Sequence, residues 1–65
     1  MNNTHLSEKE NIILKSLAAG LSNEEISERQ GVSVNTVKFH LKNIYRRLNL
    51  KNRVEAAGWY RDRCK

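Results

Sequence analysis

Residues 34–48 read VNTVKFHLKNIYRRL, and this stretch decides the fold of the 65-residue chain. Its large apolar residues recur at alternating steps of three and four, which is the period of an amphipathic α-helix. They are Val34, Val37, Leu41, Ile44 and Leu48. At 100° per residue these side chains form one stripe about 80° wide. The stretch therefore predicts a helix that packs one face on a core and leaves the other face free.

The opposite face of this predicted helix is polar and basic, but it also carries one large aromatic ring. At 100° per residue, Phe39 lies about 160° around the helix from the direction of the core. A large apolar ring is out of place on a surface that only meets water. The other members of this face are Asn35, Lys38, Lys42, Asn43 and Arg46. Charged residues on a helix usually form a solvated surface, so composition alone leaves that alternative open.

Start and stop signals around this stretch predict three further helices. Two Ser-x-x-Glu capping boxes, at residues 7–10 and 22–25, begin the first and second helices. Gly20 and Gly31 end them, and Asn49 ends the third, because these residues tolerate a left-handed conformation. Ser33 caps the third helix, and an Asn-x-x-Glu box begins the fourth. The predicted spans are residues 8–19, 23–30, 34–48 and, for the fourth helix, from the box at 52–55 to about residue 63.

The positive charge of the chain is concentrated in its second half. Twelve Lys and Arg residues against seven Asp and Glu residues make the net charge +5. Residues 1–31 carry three basic and five acidic residues, whereas residues 34–65 carry nine basic and two acidic residues. A basic surface of this kind favours a polyanionic partner.

Several classes of function are excluded by what the sequence lacks. Cys64 is the single cysteine, so no intramolecular disulfide forms, and a reducing cytoplasm is the expected location. His5 and His40 are 35 positions apart, which is not the spacing of a structural metal site. The chain has no glycine-rich phosphate loop, no nucleophile elbow, no run of about 20 apolar residues and no signal-peptide pattern at its start. We therefore expect no enzyme activity, no cofactor, no metal and no membrane partner.

A short helix, a turn containing glycine and a longer basic helix are together typical of a helix-turn-helix. A helix about 10 to 12 Å across fits the major groove of DNA. Lys38 and Lys42 lie one turn apart on the free face and can reach guanine acceptors or phosphates. Phe39 lies between them and can touch a thymine methyl group. We predict that the third helix is the recognition helix and that these three residues contact bases.

The predicted phosphate contacts lie at the starts of the second and third helices and near the end of the third. Free N–H groups at a helix N-terminus, with hydroxyl and amide side chains beside them, can hold phosphates. The predicted set is Ser22, Asn23, Ser33, Asn35, Thr36, Arg46 and Arg47. Ordinary capping is the alternative interpretation of the residues around the third N-terminus, and one residue can serve both purposes.

Glu10 is unusual because it falls on the apolar face of the first predicted helix. It shares that face with Ile13, Leu14 and Leu17, where a carboxylate is desolvated. A buried charge without a partner is costly, so we expect an ion pair with Arg53, which would lock the first helix to the fourth. The alternative is that Glu10 only completes its capping box.

The fourth predicted helix carries a strip suited to a two-fold contact with a second copy of the chain. The strip consists of Val54, Ala57, Gly58 and Arg61, at spacings of three, four and seven. Two small residues allow close approach, and a two-fold pair would present two recognition helices to half-sites one helical turn apart. Ala56 and Tyr60 are expected to face the domain's own core. So small a strip predicts a dimer that is weak without DNA; the alternative is that the glycine only frays the helix.

Several runs of this sequence resemble the LuxR-type (NarL/FixJ, GerE-like) helix-turn-helix domain. The resemblance covers residues 6 to about 63. The runs are LSEKE at residues 6–10, GLSNEEI at 20–26, VSVNTVKFHLKNIYRRL at 32–48, and Arg53-x-x-Ala56. Ser27 and Gln30 depart from the family's usual alanine and leucine, which leaves the packing of the second helix open. Asn49 replaces the glycine that usually ends the third helix.

The resemblance implies an all-α, four-helix domain of a bacterial transcriptional regulator, with helix 3 in the major groove and helix 4 supporting a dimer on two half-sites. It places base contacts at Lys38, Phe39 and Lys42, and the family's glutamate–arginine bridge at Glu10 and Arg53. Such a domain is usually the C-terminal part of a longer regulator that has an N-terminal sensor domain and acts on RNA polymerase, although stand-alone members exist and the sequence leaves both forms open. The predicted division is a disordered segment at residues 1–5 and the domain at 6–65.

The sequence is therefore consistent with two functions. The first is sequence-specific binding of double-stranded promoter DNA, because the basic residues gather on the free face of the third helix. The second is a helical protein-interaction module that docks an acidic protein on the same face. Preference for one duplex over random DNA distinguishes them, whereas salt dependence does not, since both are electrostatic.

Overall fold

The computed structural model describes residues 6–63, and that range contains four α-helices and no strand. The helices are α1 (Glu8–Ala18), α2 (Asn23–Gln30), α3 (Val34–Leu48) and α4 (Arg53–Arg63). The all-α, four-helix prediction is confirmed, and only α1 differs from its predicted span, ending one residue earlier. The predicted disordered segment 1–5 and Cys64 lie outside the described residues.

The predicted capping boxes begin the first two helices. The Ser7 hydroxyl accepts the Glu10 N–H, and the Glu10 carboxylate accepts the Ser7 N–H, both at 3.1 Å. The second box has the same pattern, with distances of 3.1 and 2.8 Å between Ser22 and Glu25. These bonds join residues only three positions apart, so the local sequence is sufficient to place both helix starts.

The third helix also has the predicted ends. Ser33 accepts the N–H of Thr36 at 3.1 Å and so caps the start of α3. Asn49 terminates α3 in the left-handed conformation, with φ 58° and ψ 47°. It is the only non-glycine residue with a positive φ in the described range. Asparagine can replace the usual glycine here because it tolerates this region better than other side chains.

The core is formed by one face of each helix. The fully or nearly fully buried apolar residues of the described range are Ile13, Leu14, Leu17, Ile26, Val37, Leu41, Ile44 and Ala56. The three central members of the predicted α3 stripe are therefore buried, while Val34 and Leu48 at its ends are half-buried. Helix α4 packs chiefly against α1, and α2 packs chiefly against α3.

Helix α2 packs closely despite a polar residue on its inner face. Ser27 is buried, and its hydroxyl donates to the Glu24 carbonyl at 2.7 Å. A buried hydroxyl with a backbone partner costs little, so serine is accommodated where the family usually has alanine. Within residues 6–63, no helix has the length and apolar character needed to cross a membrane.

Candidate nucleic-acid interface

The three predicted base-contacting residues lie together on the exposed side of α3. Lys38 and Lys42 are exposed, and 61% of Phe39 is accessible to solvent. The Phe39 ring meets the edge of the His40 ring, with centroids 6.0 Å apart and planes at 67°. Since α3 buries its other face, a cation, an aromatic ring and a second cation are left projecting from one exposed surface.

Two of the predicted phosphate-binding hydroxyls are also helix caps. Ser22 and Ser33 each accept a backbone N–H, and the Ser33 hydroxyl lies 3.0 Å from that of Thr36. The capping alternative is thus observed for Ser33 at the start of α3, and Ser22 caps α2 in the same way. It leaves the phosphate prediction open, because a hydroxyl that accepts one hydrogen bond can still donate another.

An open groove runs beside the exposed face of α3, between that helix, the start of α2 and the turn from α3 to α4. We call it the cationic groove, because five basic residues and no carboxylate are among the described residues that line it. The basic residues are Lys38, Lys42, Arg46, Lys51 and Arg53. Leu41, Tyr45 and Leu50 also line it, and Asn23 contributes from the start of α2. A concave surface lined by one sign of charge concentrates counter-ions, so the groove suits a polyanion.

Tyr45 contributes a neutral hydroxyl to the cationic groove. Burial raises the pKa of the Tyr45 phenol, and the nearby charge of Arg53 only partly opposes that rise. The phenol therefore keeps its proton well above neutral pH and can donate a hydrogen bond to an anion.

The structure corrects the predicted partner of Glu10. Glu10 is buried and charge-paired as expected, but its Oε1 accepts from Nη1 of Arg47 on α3, so the predicted pair with Arg53 is wrong. Packing of α1 against α3 brings the C-terminal end of α3 beside the first turn of α1. Arg53 instead donates from Nη1 to Oδ1 of Asn23 at 3.2 Å and from Nη2 to the Leu21 carbonyl.

The carboxyl of Glu10 is held in its ionised form. Burial by itself raises its pKa, but the Ser7 N–H and the Arg47 guanidinium outweigh burial and leave the pKa below its usual value. Both the capping box and the ion pair therefore contribute to keeping a charge on the inner face of α1.

The predicted dimer residues of α4 differ in their exposure to solvent. Val54 is 78% exposed and Arg61 is exposed, whereas Ala57 is half-buried and packs on the domain's own core. A Cβ atom added at Gly58 would meet nothing within 4 Å, so the domain's own packing does not require glycine there. Ala56 is buried and Tyr60 packs against the core, as predicted.

The second helix, its glycine-containing turn and the exposed basic face of α3 define a helix-turn-helix DNA-binding domain. Residues 4–60 match the model of a protein family described as "Bacterial regulatory proteins, luxR family". The chain belongs to this family of transcription regulators. The resemblance drawn from the sequence is thereby confirmed.

Curated relatives share this region within longer proteins. The chain is 52% identical to the Escherichia coli K12 protein "Putative HTH-type transcriptional regulator YhjB" over 52 residues, which are 80% of this chain and 26% of that protein. It is 44% identical to the "Nitrate/nitrite response regulator protein NarL" of the same strain over 54 residues, 83% of this chain and 25% of that protein. It is 42% identical to the "CsgBAC operon transcriptional regulatory protein" of Escherichia coli K12 over 57 residues, which are 88% of this chain and 26% of that protein. The chain spans about a quarter of each of these relatives.

Proposed function

We propose that this domain binds double-stranded DNA in a sequence-specific manner, with α3 in the major groove, as the DNA-reading part of a bacterial transcription regulator. The observation that carries the proposal is the exposed face of α3. Lys38, Phe39 and Lys42 project from it next to the cationic groove. A helix of this width fits the major groove, and lysine can reach guanine O6 and N7 there.

The remaining polar residues of the proposed interface hold the DNA backbone and do not contact bases. In the proposed complex, side chains and free N–H groups at the starts of α2 and α3, together with one arginine in the last turn of α3, hold phosphates and set the register of the recognition helix. The residues assigned to this role are Ser22, Asn23, Ser33, Asn35, Thr36 and Arg46. Arg47 is a weaker candidate than its neighbour Arg46, because one of its guanidinium nitrogens already donates to Glu10.

Selection from a pool of random duplexes, using the purified domain at low salt, tests this function. We expect enrichment of one sequence motif, with binding to the selected duplex at least about a thousandfold tighter than to random DNA, as specific binders achieve. A folded sample that shifts no duplex at low salt would overturn the proposal. Equal binding to all duplexes, together with capture of an acidic protein surface, would favour the protein-interaction alternative.

We further propose that two copies pair through α4 when both occupy adjacent half-sites. The support is the exposed Val54 and the open space above Gly58, which together leave one side of α4 without intramolecular packing. The contact area is small, so pairing is expected to be weak without DNA. In a longer parent protein, a sensor domain would control this pairing and the contact with RNA polymerase.

Gly58→Glu is expected to abolish cooperative occupancy of paired half-sites while leaving single half-site binding nearly intact. Replacing a mid-helix glycine should raise the free energy of unfolding by about 0.5 to 1 kcal/mol, because glycine disfavours helix, and the added Cβ has free space. Gly58→Ala is the matched control, since it also replaces the helix-disfavouring glycine but adds no charge. Gel-shift titration on one-site and two-site duplexes measures the effect. Cooperativity equal to that of the parent in Gly58→Glu would exclude α4 as the dimer surface.

A further inference from the structure

Arg53 joins two helices that each pack mainly against other partners. It is the first residue of α4, and α4 packs chiefly against α1, whereas α2 packs chiefly against α3. Its guanidinium nevertheless donates to the Leu21 carbonyl and, at 3.2 Å, to Oδ1 of Asn23. These two acceptors lie on either side of Ser22, the N-cap of α2. One side chain from α4 therefore ties the start of α2 to α4 by two hydrogen bonds.

The hydrogen bond from Arg53 also determines the orientation of the Asn23 side-chain amide. A guanidinium can only donate hydrogen bonds, so the oxygen of Asn23 must be the atom that faces Arg53. The NH₂ group of Asn23 is then left as a donor at the edge of the cationic groove, which Asn23 lines. At the start of α2, the Glu25 N–H already donates to the Ser22 hydroxyl, whereas the N–H groups of Asn23 and Glu24 have no acceptor within the helix. Arg53 thus fixes the Asn23 side chain at the edge of the groove, next to these two N–H groups.

We infer that Arg53 is a positioning residue for DNA binding, which holds Asn23 and the start of α2 against a phosphate of the bound duplex. The inference rests on the proposed DNA-binding function. Arg53 is half-buried, and two of its five N–H donors are used by protein acceptors. On this inference its contribution to affinity passes through Asn23 and the backbone, and not through a phosphate contact of its own.

The charge-conserving variant Arg53→Lys separates the two possible roles. An ammonium group cannot reproduce the two-pronged geometry of arginine, so we expect Arg53→Lys to lose about three- to tenfold in affinity for the selected duplex. Arg29→Lys is the matched control, since Arg29 is exposed on α2, does not line the cationic groove and is not among the proposed DNA contacts. Full affinity in Arg53→Lys would overturn the inference.

The salt dependence of binding gives an independent readout. Arg46→Ala should flatten the slope of log K against log salt by about one, because a phosphate-neutralising cation is lost. Arg53→Ala should weaken binding with a slope close to that of the parent. A slope reduced by about one in Arg53→Ala would show that Arg53 itself contacts phosphate and would overturn the inference.

A double-mutant cycle with Asn23→Ala completes the test and does not require Arg53→Ala to fold. If Arg53 acts in part through Asn23, the loss of affinity caused by Arg53→Lys should be clearly smaller in the Asn23→Ala background than in the parent, and the remaining loss is due to the Leu21 carbonyl contact. Additive losses would overturn the inference. Melting curves recorded for each variant confirm that binding is measured on folded protein. Absence of binding by the parent domain would instead count against the proposed function.

Discussion

Arg47→Ala is expected to lower the free energy of unfolding by about 2 to 3 kcal/mol. The Glu10 side chain is only 8% exposed, and the variant leaves its carboxylate without a cationic partner. The Arg47 side chain is 40% exposed, so water screens the pair and the loss stays below the roughly 3 to 5 kcal/mol of a fully buried pair. For a domain of this size, such a loss lowers the melting temperature by about 10 °C or more.

Arg46→Ala is the matched control for this prediction. It removes the same side chain from the adjacent position of α3, but Arg46 is exposed, and its replacement should change stability by less than about 0.5 kcal/mol. Thermal and urea unfolding followed by circular dichroism measure both variants. An Arg47→Ala protein that melts within a degree or two of the parent would show that the ion pair contributes nothing to the fold.

The pH dependence of stability identifies the carboxylate involved. The pKa of Glu10 in the folded protein lies below the usual value for a glutamate, which is its pKa in the unfolded chain. The ionised carboxylate therefore contributes its full stabilisation when the pH is above the usual pKa, and this stabilisation is lost as the pH falls through the folded-state pKa. Without Arg47, burial is opposed only by the contacts with Ser7, and the pKa of Glu10 rises. The stability difference between parent and Arg47→Ala should therefore be greatest near pH 7 and should narrow in acid. A difference that is independent of pH would point to lost packing of the Arg47 side chain instead.

Lys42→Ala is expected to reduce affinity for the selected duplex by about 1 to 3 kcal/mol and to relax the preference at one base pair. Lysine in the major groove donates to guanine acceptors, and the variant loses those bonds only where the correct base is present. Lys38→Ala should act in the same way at a neighbouring position. Phe39→Ala should also belong to this class, through loss of a contact with a thymine methyl group.

Arg46→Ala supplies the contrast for the lysine variants. As a phosphate contact it should weaken binding to selected and random duplexes alike, because the DNA backbone is the same in both. The ratio of the two affinities, measured at one salt concentration, is therefore the informative quantity. If the lysine variants lose affinity equally for both duplexes, their assignment to base reading is wrong.

The four helices could be predicted from the sequence because short-range contacts specify their ends. Ser7 and Ser22 each bond to a glutamate three residues away, and Asn49 adopts the left-handed conformation by itself. The spacing of apolar residues in α3 likewise determines which side is buried and leaves Lys38 and Lys42 on the other side. All of these features depend on residues within one or two turns of one another.

The long-range polar contacts were decided only by the tertiary structure. The sequence required a cation for Glu10, but the choice of Arg53 was wrong, because charge alone does not distinguish Arg53 from Arg47. The choice depends on how α1, α3 and α4 lie against one another, since these contacts join residues 37 and 30 positions apart. The same packing places Lys51 beside the exposed face of α3, although it lies beyond the end of that helix. Local periodicity says which face of a helix is buried, but the angles and offsets between helices decide which charged side chains meet.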